Sequence, residues 1–240
     1  TNLKGGDKMK TFLAMVFVLL LTGISYAQKE IDDCYTYIDA GDYQRAIEAG
    51  KKAVKLYPKN VTAYFCLGRA YYKTGQVDLA IDNLKKAESY ATEDDELMFI
   101  YNLLGANYET KGDLDNALFY YSKSRNLAKK LGDREMEASL LNNIALIFYY
   151  KVEFDRALEY YKESLRLITN EKNKATTYSN IALVYINKGE YKSAIEYYKK
   201  AIEITERYGD YHASGIIMLN LGNAYRRVKD FKNAYYYLSE

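Results

Sequence analysis

Side chains able to do covalent or metal chemistry are few in this chain, and they do not cluster. His212 is its one histidine, so neither a two-histidine metal site nor a Ser-His-Asp triad has an imidazole to spare. It follows Gly209-Asp210-Tyr211 and reads as a surface residue. No phosphate-cradling glycine loop occurs: Lys4-Gly5-Gly6 lies near the N-terminus, and the remaining glycines punctuate helices. Carboxylates are plentiful but follow turns and solvent-facing positions. No catalytic residue, metal or cofactor is expected. The two cysteines, Cys34 and Cys66, have to be placed on their elements before they can be interpreted.

Those elements are helical. The chain has a single proline and 28 tyrosines among 49% hydrophobic and 28% charged residues, so little interrupts a helix and the large side chains are aromatics with a polar tip. A small residue followed twelve positions later by alanine recurs six times: Cys34/Ala46, Gly68/Ala80, Gly105/Ala117, Ala145/Ala157, Ala182/Ala194 and Gly222/Ala234. In copies two to six a large residue stands four before the small one, an aliphatic just before it and an aromatic three after, as in Tyr178-Ile181-Ala182-Tyr185, and copy one is degenerate there. Spacings of three and four put these on one helical stripe. The small residues let a second helix approach closely, and that helix carries its own bulky residue four after the alanine: Leu84, Tyr121, Tyr161, Tyr198 and Leu238. Tyr-Tyr pairs such as Tyr120-Tyr121, Tyr160-Tyr161 and Tyr197-Tyr198 are expected to put one ring in the core and the next toward the outer face. One such hairpin cannot bury its stripe alone. Stacking supplies the missing contacts, each buried large side chain contributing on the order of 1.5–3 kcal/mol.

This pattern is similar to that of the tetratricopeptide family. The resemblance implies an all-α, right-handed α-solenoid of about six helix-turn-helix hairpins over residues 28–240. The repeats fall near 27–60, 61–94, 98–131, 138–171, 175–208 and 215–240, the last incomplete. Turns agree: Gly41, Gly75, Gly112 and Gly189 supply the left-handed residue that ends a helix. Val152 and Lys229 stand where that glycine is missing, and their turns are expected to be more strained or differently shaped. Successive alanines lie 34, 37, 40, 37 and 40 residues apart. Three residues is close to one helical turn, so the insertions around 93–96, 130–137, 170–174 and 208–214 are expected to lengthen helices. Longer repeats of this sort resemble those of bacterial sensor and regulatory proteins.

In this family the first helices of the hairpins line a groove, which implies a site for a protein or an extended peptide segment. Two positions before the small residue, copies four to six carry Asn143, Asn180 and Asn220. An amide donates and accepts at once, and can read a peptide backbone without regard to its side chains. The alternative is a polar helix residue bonding to a neighbouring turn. Other groove positions are Phe65, Arg69, Tyr72 and Lys73 in copy two, Asn142, Leu146, Tyr149 and Tyr150 in copy four, and Asn223, Arg226 and Arg227 in copy six. No convincing carboxylate-clamp pattern accompanies them. Cys34 and Cys66 sit on successive first helices, which admits a disulfide in an oxidising compartment. Both also suit small buried positions.

Residues 1–27 read as upstream residues plus an export leader. Lys8-Met9-Lys10 precedes an apolar run from Phe12 to Leu21, and Ser25-Tyr26-Ala27 offers small residues for cleavage after Ala27. Extended to Ile24 the run has 13 residues, below the roughly 18–20 needed to cross a bilayer; an uncleaved interfacial anchor is the other reading. Met9 reads as the natural start. The rest of the chain balances 31 basic against 31 acidic residues and has no dense basic stripe, which argues against nucleic acid as a partner. No stable membrane insertion of residues 28–240 is expected. Glu240 falls inside a second helix with no capping helix after it, which suggests a longer protein. The expectation is an exported, periplasmic interaction module, the sensing or binding region of a larger bacterial signalling protein. The alternative is a free-standing periplasmic or secreted scaffold for envelope assembly or transport.

Overall fold

The computed structural model describes residues 28–239; the export leader expected over residues 1–27 lies outside them. The described chain is helical and contains no strand. In order the helices are α1 (28–39), α2 (Tyr43–Leu56), α3 (Val61–Lys73), α4 (Val77–Tyr90), α5 (Asp94–Thr110), α6 (Leu114–Leu131), α7 (Arg134–Tyr150), α8 (Phe154–Leu167), α9 (Glu171–Asn187), α10 (Tyr191–Arg207), α11 (Tyr211–Arg227) and α12 (Phe231–Ser239). Odd-numbered helices are the first helices of the hairpins and even-numbered ones the second. The fold class is the all-α tetratricopeptide solenoid. No helix among the described residues is long and apolar enough to cross a membrane.

Packing divides the chain into two units, meeting at Lys111 and Gly112 in the turn between α5 and α6. In the first, α2 packs on α3, α3 on α4, and both α3 and α4 on α5. The second repeats the scheme, with α7 against α8 and α9, α9 against α10, and α10 to α12 in sequence. Helix starts are set by side-chain caps: Asp42, Asn60, Asp113, Asp133 and Asp210 each accept from the backbone N–H three residues on. Each such cap is worth about 1 kcal/mol.

Most of the inserted residues are helical, the exceptions being turn residues such as Gly132, Asp133 and Tyr208 to Asp210. Whereas α3 and α4 have 13 and 14 residues, α5, α7, α9, α10 and α11 have 17 and α6 has 18. The extra turn opens α5, and the insertion near residue 133 closes α6 and opens α7 across Gly132 and Asp133.

The small residue and the side chain above it determine how close the two helices of a hairpin lie. A Cβ built on Gly68 would stand 2.8 Å from Leu84 Cγ and 3.3 Å from the Ala80 carbonyl oxygen; on Gly222 it would stand 2.7 Å from Leu238 Cγ. There is no room for alanine in those two hairpins without movement. Above the small residue a second contact recurs: Phe148 stacks on Tyr160 at 5.2 Å, Tyr185 on Tyr197 at 5.6 Å and Tyr225 on Tyr237 at 5.7 Å between ring centroids. These pairs join the residue three after the small position to the residue three after the alanine. Tyr160 and Tyr197 thus stack on the first helix of their own hairpin, and Tyr120 is as fully buried as Tyr121. For the Tyr120-Tyr121 pair this corrects the expectation of one outward ring, whereas Tyr160 and Tyr197 remain half-buried beside the buried Tyr161 and Tyr198, one ring of each pair lying toward the outside.

Val152 and Lys229 adopt φ of 62° and 64°, close to the 76° of Gly41 and Gly189. Their turns also keep the same two backbone bonds. Val152 N–H reaches Tyr149 O at 3.0 Å and Glu153 N–H reaches Phe148 O at 2.9 Å, as Gly189 N–H reaches Ile186 O and Glu190 N–H reaches Tyr185 O. The missing glycine therefore changes the strain and leaves the shape intact. Consecutive repeats are further tied by lysines at the ends of first helices. Lys111 bonds Asp78 at 2.7 Å, Lys151 bonds Asp115 at 2.5 Å and Lys188 bonds Asp155 at 2.7 Å, each aspartate being the second residue of the preceding hairpin's second helix.

Candidate functional site

The face carried by the first helices is where the expected site residues lie, and its chemistry differs between the two units. In the first unit a disulfide joins Cys34 on α1 to Cys66 on α3, with Cα atoms 6.4 Å apart and both side chains fully buried. Cys66 holds the position that is asparagine in later copies, so here that position staples two repeats together. Beside it, Tyr35, Phe65 and Phe99 help line a cavity of about 170 Å³. Burial pushes the Tyr35 phenol up to about 12, with Arg69 opposing. Arg69 lies 3.9 Å from Asp39, and Lys73 is exposed.

In the second unit Asn143, Asn180 and Asn220 occupy equivalent, half-buried positions on α7, α9 and α11. The structure brings Asn180 to Asn142: Asn180 Nδ2 donates to Asn142 Oδ1 at 3.4 Å. That bond leaves Asn142 Nδ2 as a donor and Asn180 Oδ1 as an acceptor, the complement of one peptide group. Asn143 and Asn220 make no side-chain hydrogen bond among the described residues. Asn223 donates to Leu219 O of its own helix at 3.0 Å, the local bonding weighed above as the alternative for such residues. Tyr149 accepts from Asn187 Nδ2 at 3.0 Å and packs against Tyr150, which is half-exposed. Arg226 and Arg227 are exposed in the last turn of α11 and form no ion pair among the described residues.

Two cavities adjoin in this face. One, of about 300 Å³, lies between α7 and α9, where Ser139, Asn142, Asn173 and Thr176 line it with Glu135. The other, of about 400 Å³, lies among α9, α10 and α11, where Asn180 and Thr176 meet Ile204, Ile216 and Ile217. Asn142 lines the first and Asn180 the second, so their amide pair stands between the two. Glu135 was not foreseen from sequence. It accepts from Thr169 N–H at 2.7 Å, from the Thr169 hydroxyl, from Asn170 N–H at 3.1 Å and from Asn173 Nδ2 at 3.4 Å. The Thr169 hydroxyl and N–H do most to hold its carboxyl at about 2. It clamps the turn that enters α9, a contact made 34 residues away that no local signal announces.

Among the described residues no group of three or more His, Cys, Asp or Glu side chains is placed to hold a metal ion. His212 is exposed.

Comparison with known proteins agrees with the repeat. A pattern described as Tetratricopeptide repeat matches residues 96–170 and 173–240, one described as TPR repeat matches 35–75, and a further Tetratricopeptide repeat pattern matches 61–94. The chain is 28% identical over 136 residues to the Photosystem I assembly protein Ycf3 of Rippkaea orientalis, a match covering 49% of this chain and 75% of that protein. It is 28% identical over 125 residues to the Protein CTR9 homolog of Arabidopsis thaliana, covering 52% of this chain but 11% of that much longer protein. Among solved structures, BtubC of P. vanneervenii superposes with a TM-score of 0.68 at 22% identity, covering 89% of this chain and 88% of that one. With repeat register, helix pairing and matched residues in agreement, the chain belongs to the tetratricopeptide repeat family.

Proposed function

We propose that this chain is an exported interaction module that binds an extended protein segment along the first-helix face of its second unit. The observation that carries the reading is the Asn142–Asn180 pair, which offers one donor and one acceptor between two adjoining cavities. Side chains on this face are not needed to pack the hairpins, and half-buried amides there are poised to exchange water for a peptide group. Replacing Asn142, Asn180 and Asn220 together by alanine tests it. Capture of the partner should fall while the thermal midpoint stays close to that of the parent; undiminished capture refutes the reading.

Export is supported by the leader pattern ending at Ala27 and by the Cys34–Cys66 disulfide, a bond that persists in oxidising compartments. We place the module in a bacterial periplasm, as the sensing or binding region of a signalling protein. N-terminal sequencing of the mature chain should start at Gln28, and a start at Met9 would refute cleavage. A second reading, a scaffold for assembly, is favoured by the likeness to an assembly protein over 75% of that relative's length.

A further inference from the structure

The geometry points to a ligand that presents a cationic side chain to the cavity between α7 and α9 and a branched aliphatic side chain to the adjoining cavity between α9 and α11. This rests on the reading of that face as a peptide site and specifies what the peptide carries. Three cavities of this chain form at the same register. In each, the residues seven, six and three before the small residue of one first helix face those nine, six and five before the small residue of the next. They are Val61, Thr62 and Phe65 with Glu96, Phe99 and Ile100 in the first unit. In the second unit they are Ala138, Ser139 and Asn142 with Asn173, Thr176 and Thr177, and then Ala175, Thr176 and Ser179 with Ala213, Ile216 and Ile217. One architecture thus holds three different chemistries, and what each cavity accepts follows from its walls.

Between α7 and α9 hydroxyls and amides line the cavity together with Ala138 and Ile168, and Glu135 is the one charged residue lining it. Its Oε1 takes the Thr169 and Asn170 donors, whereas Oε2 has only the 3.4 Å contact from Asn173, itself a lining residue. Acceptor capacity and a full negative charge remain there, with no lining cation to offset it. A lysine or arginine side chain satisfies both, and an acidic one meets repulsion. Among α9, α10 and α11 the apolar part of the lining is Ala175, Ala213, Ile204, Ile216 and Ile217, and its two charged residues, Lys172 and Asp210, are opposite in sign. Ile216 is 53% exposed, apolar surface that an aliphatic side chain would remove from water. Helices in contact lie about 8–10 Å apart, and an extended peptide advances about 3.3 Å per residue with alternate side chains on opposite faces, so the two side chains belong two residues apart, splayed toward the two cavities.

The probes are blocked decapeptides of a Gly/Ser frame carrying Lys and Ile two residues apart, with Gln or Glu in place of Lys in matched controls. Binding to the full chain is read from backbone amide shifts at Thr169, Asn173, Thr176 and Ile216, with affinity from their saturation. The Lys peptide should bind about fivefold tighter than the Gln peptide, the scale of a partly exposed ion pair, and the Glu peptide weakest. Glu135→Gln should erase the preference. Because that variant also loosens the turn before α9, Ser139→Lys provides a test that keeps Glu135: its ammonium, one helical turn after Glu135, offsets that charge and should likewise erase the preference. Equal binding of the Lys and Gln peptides by the parent chain overturns the cationic assignment and leaves the peptide face standing. Shifts in none of these amides with any peptide overturn both.

Discussion

Replacing Val152 by glycine should stabilise the protein, although it removes a side chain and adds no contact. Val152 holds φ at 62°, where a β-carbon crowds the following carbonyl; a left-handed L-residue pays about 1–2 kcal/mol for this. Glycine removes that strain but loses more freedom on folding, about 0.5–1 kcal/mol. The valine side chain is 68% exposed, so little burial is forfeited, and both turn hydrogen bonds are made by backbone groups that glycine retains. The balance is a gain of about 0.5–1 kcal/mol, or roughly 1–4 °C in thermal midpoint for a chain of this size. Gly189→Val is the reciprocal test. A Cβ there meets nothing within 4 Å, so its expected loss of about 0.5–1 kcal/mol is backbone strain less the chain freedom that valine no longer gives up on folding. Urea and thermal denaturation of both variants against the parent decide it. A neutral or destabilising Val152→Gly, or a neutral Gly189→Val, would refute the reasoning.

Acid should act partly through Glu135. Its folded carboxyl titrates at about 2 against an ordinary 4.5, so its stabilising contribution is complete above the higher value and is lost as pH falls toward the lower one. Glu135→Gln should flatten that part of the stability profile, as followed by circular dichroism from pH 6 to pH 2. Reducing the Cys34–Cys66 bond, whose sulfurs are separated by 32 residues in sequence, should lower unfolding free energy by about 3–4 kcal/mol on the loop-closure argument; denaturant midpoints with and without dithiothreitol measure it. Gly68→Ala should destabilise by about 1–3 kcal/mol, because Leu84 must move to admit the new methyl. Gly68→Ala with Leu84→Val should recover part of that loss in the same denaturation assay.

The fold was legible because repetition multiplies weak signals. One small residue twelve before an alanine says little, but six in register fix which helices pair and where they touch. Val152 shows how far this extends: its turn keeps the glycine shape because two backbone hydrogen bonds and the packed hairpin on either side overrule its local preference. Tyr120 and Tyr160 were harder to read, since a tyrosine pair in sequence does not reveal which ring finds a partner on the other helix. The face was located from register, yet its working details were not. Asn180 meets Asn142 rather than Asn143 because consecutive first helices are offset, a relation between elements and not within one. Glu135 lay hidden for the same reason. The Lys–Asp ties were findable, since a lysine at the end of a first helix and an aspartate opening a second recur at separations of 33 and 36 residues.

The central claim is that ligand lies along the first-helix face of the second unit. Thr176 lines both cavities there, while Glu196 is exposed on the second helix of the same hairpin. A benzophenone-bearing residue placed at one or the other position, with photolysis in the native envelope, reports contact directly. The account predicts a crosslinked partner from position 176 and none from position 196; the reverse pattern would contradict it.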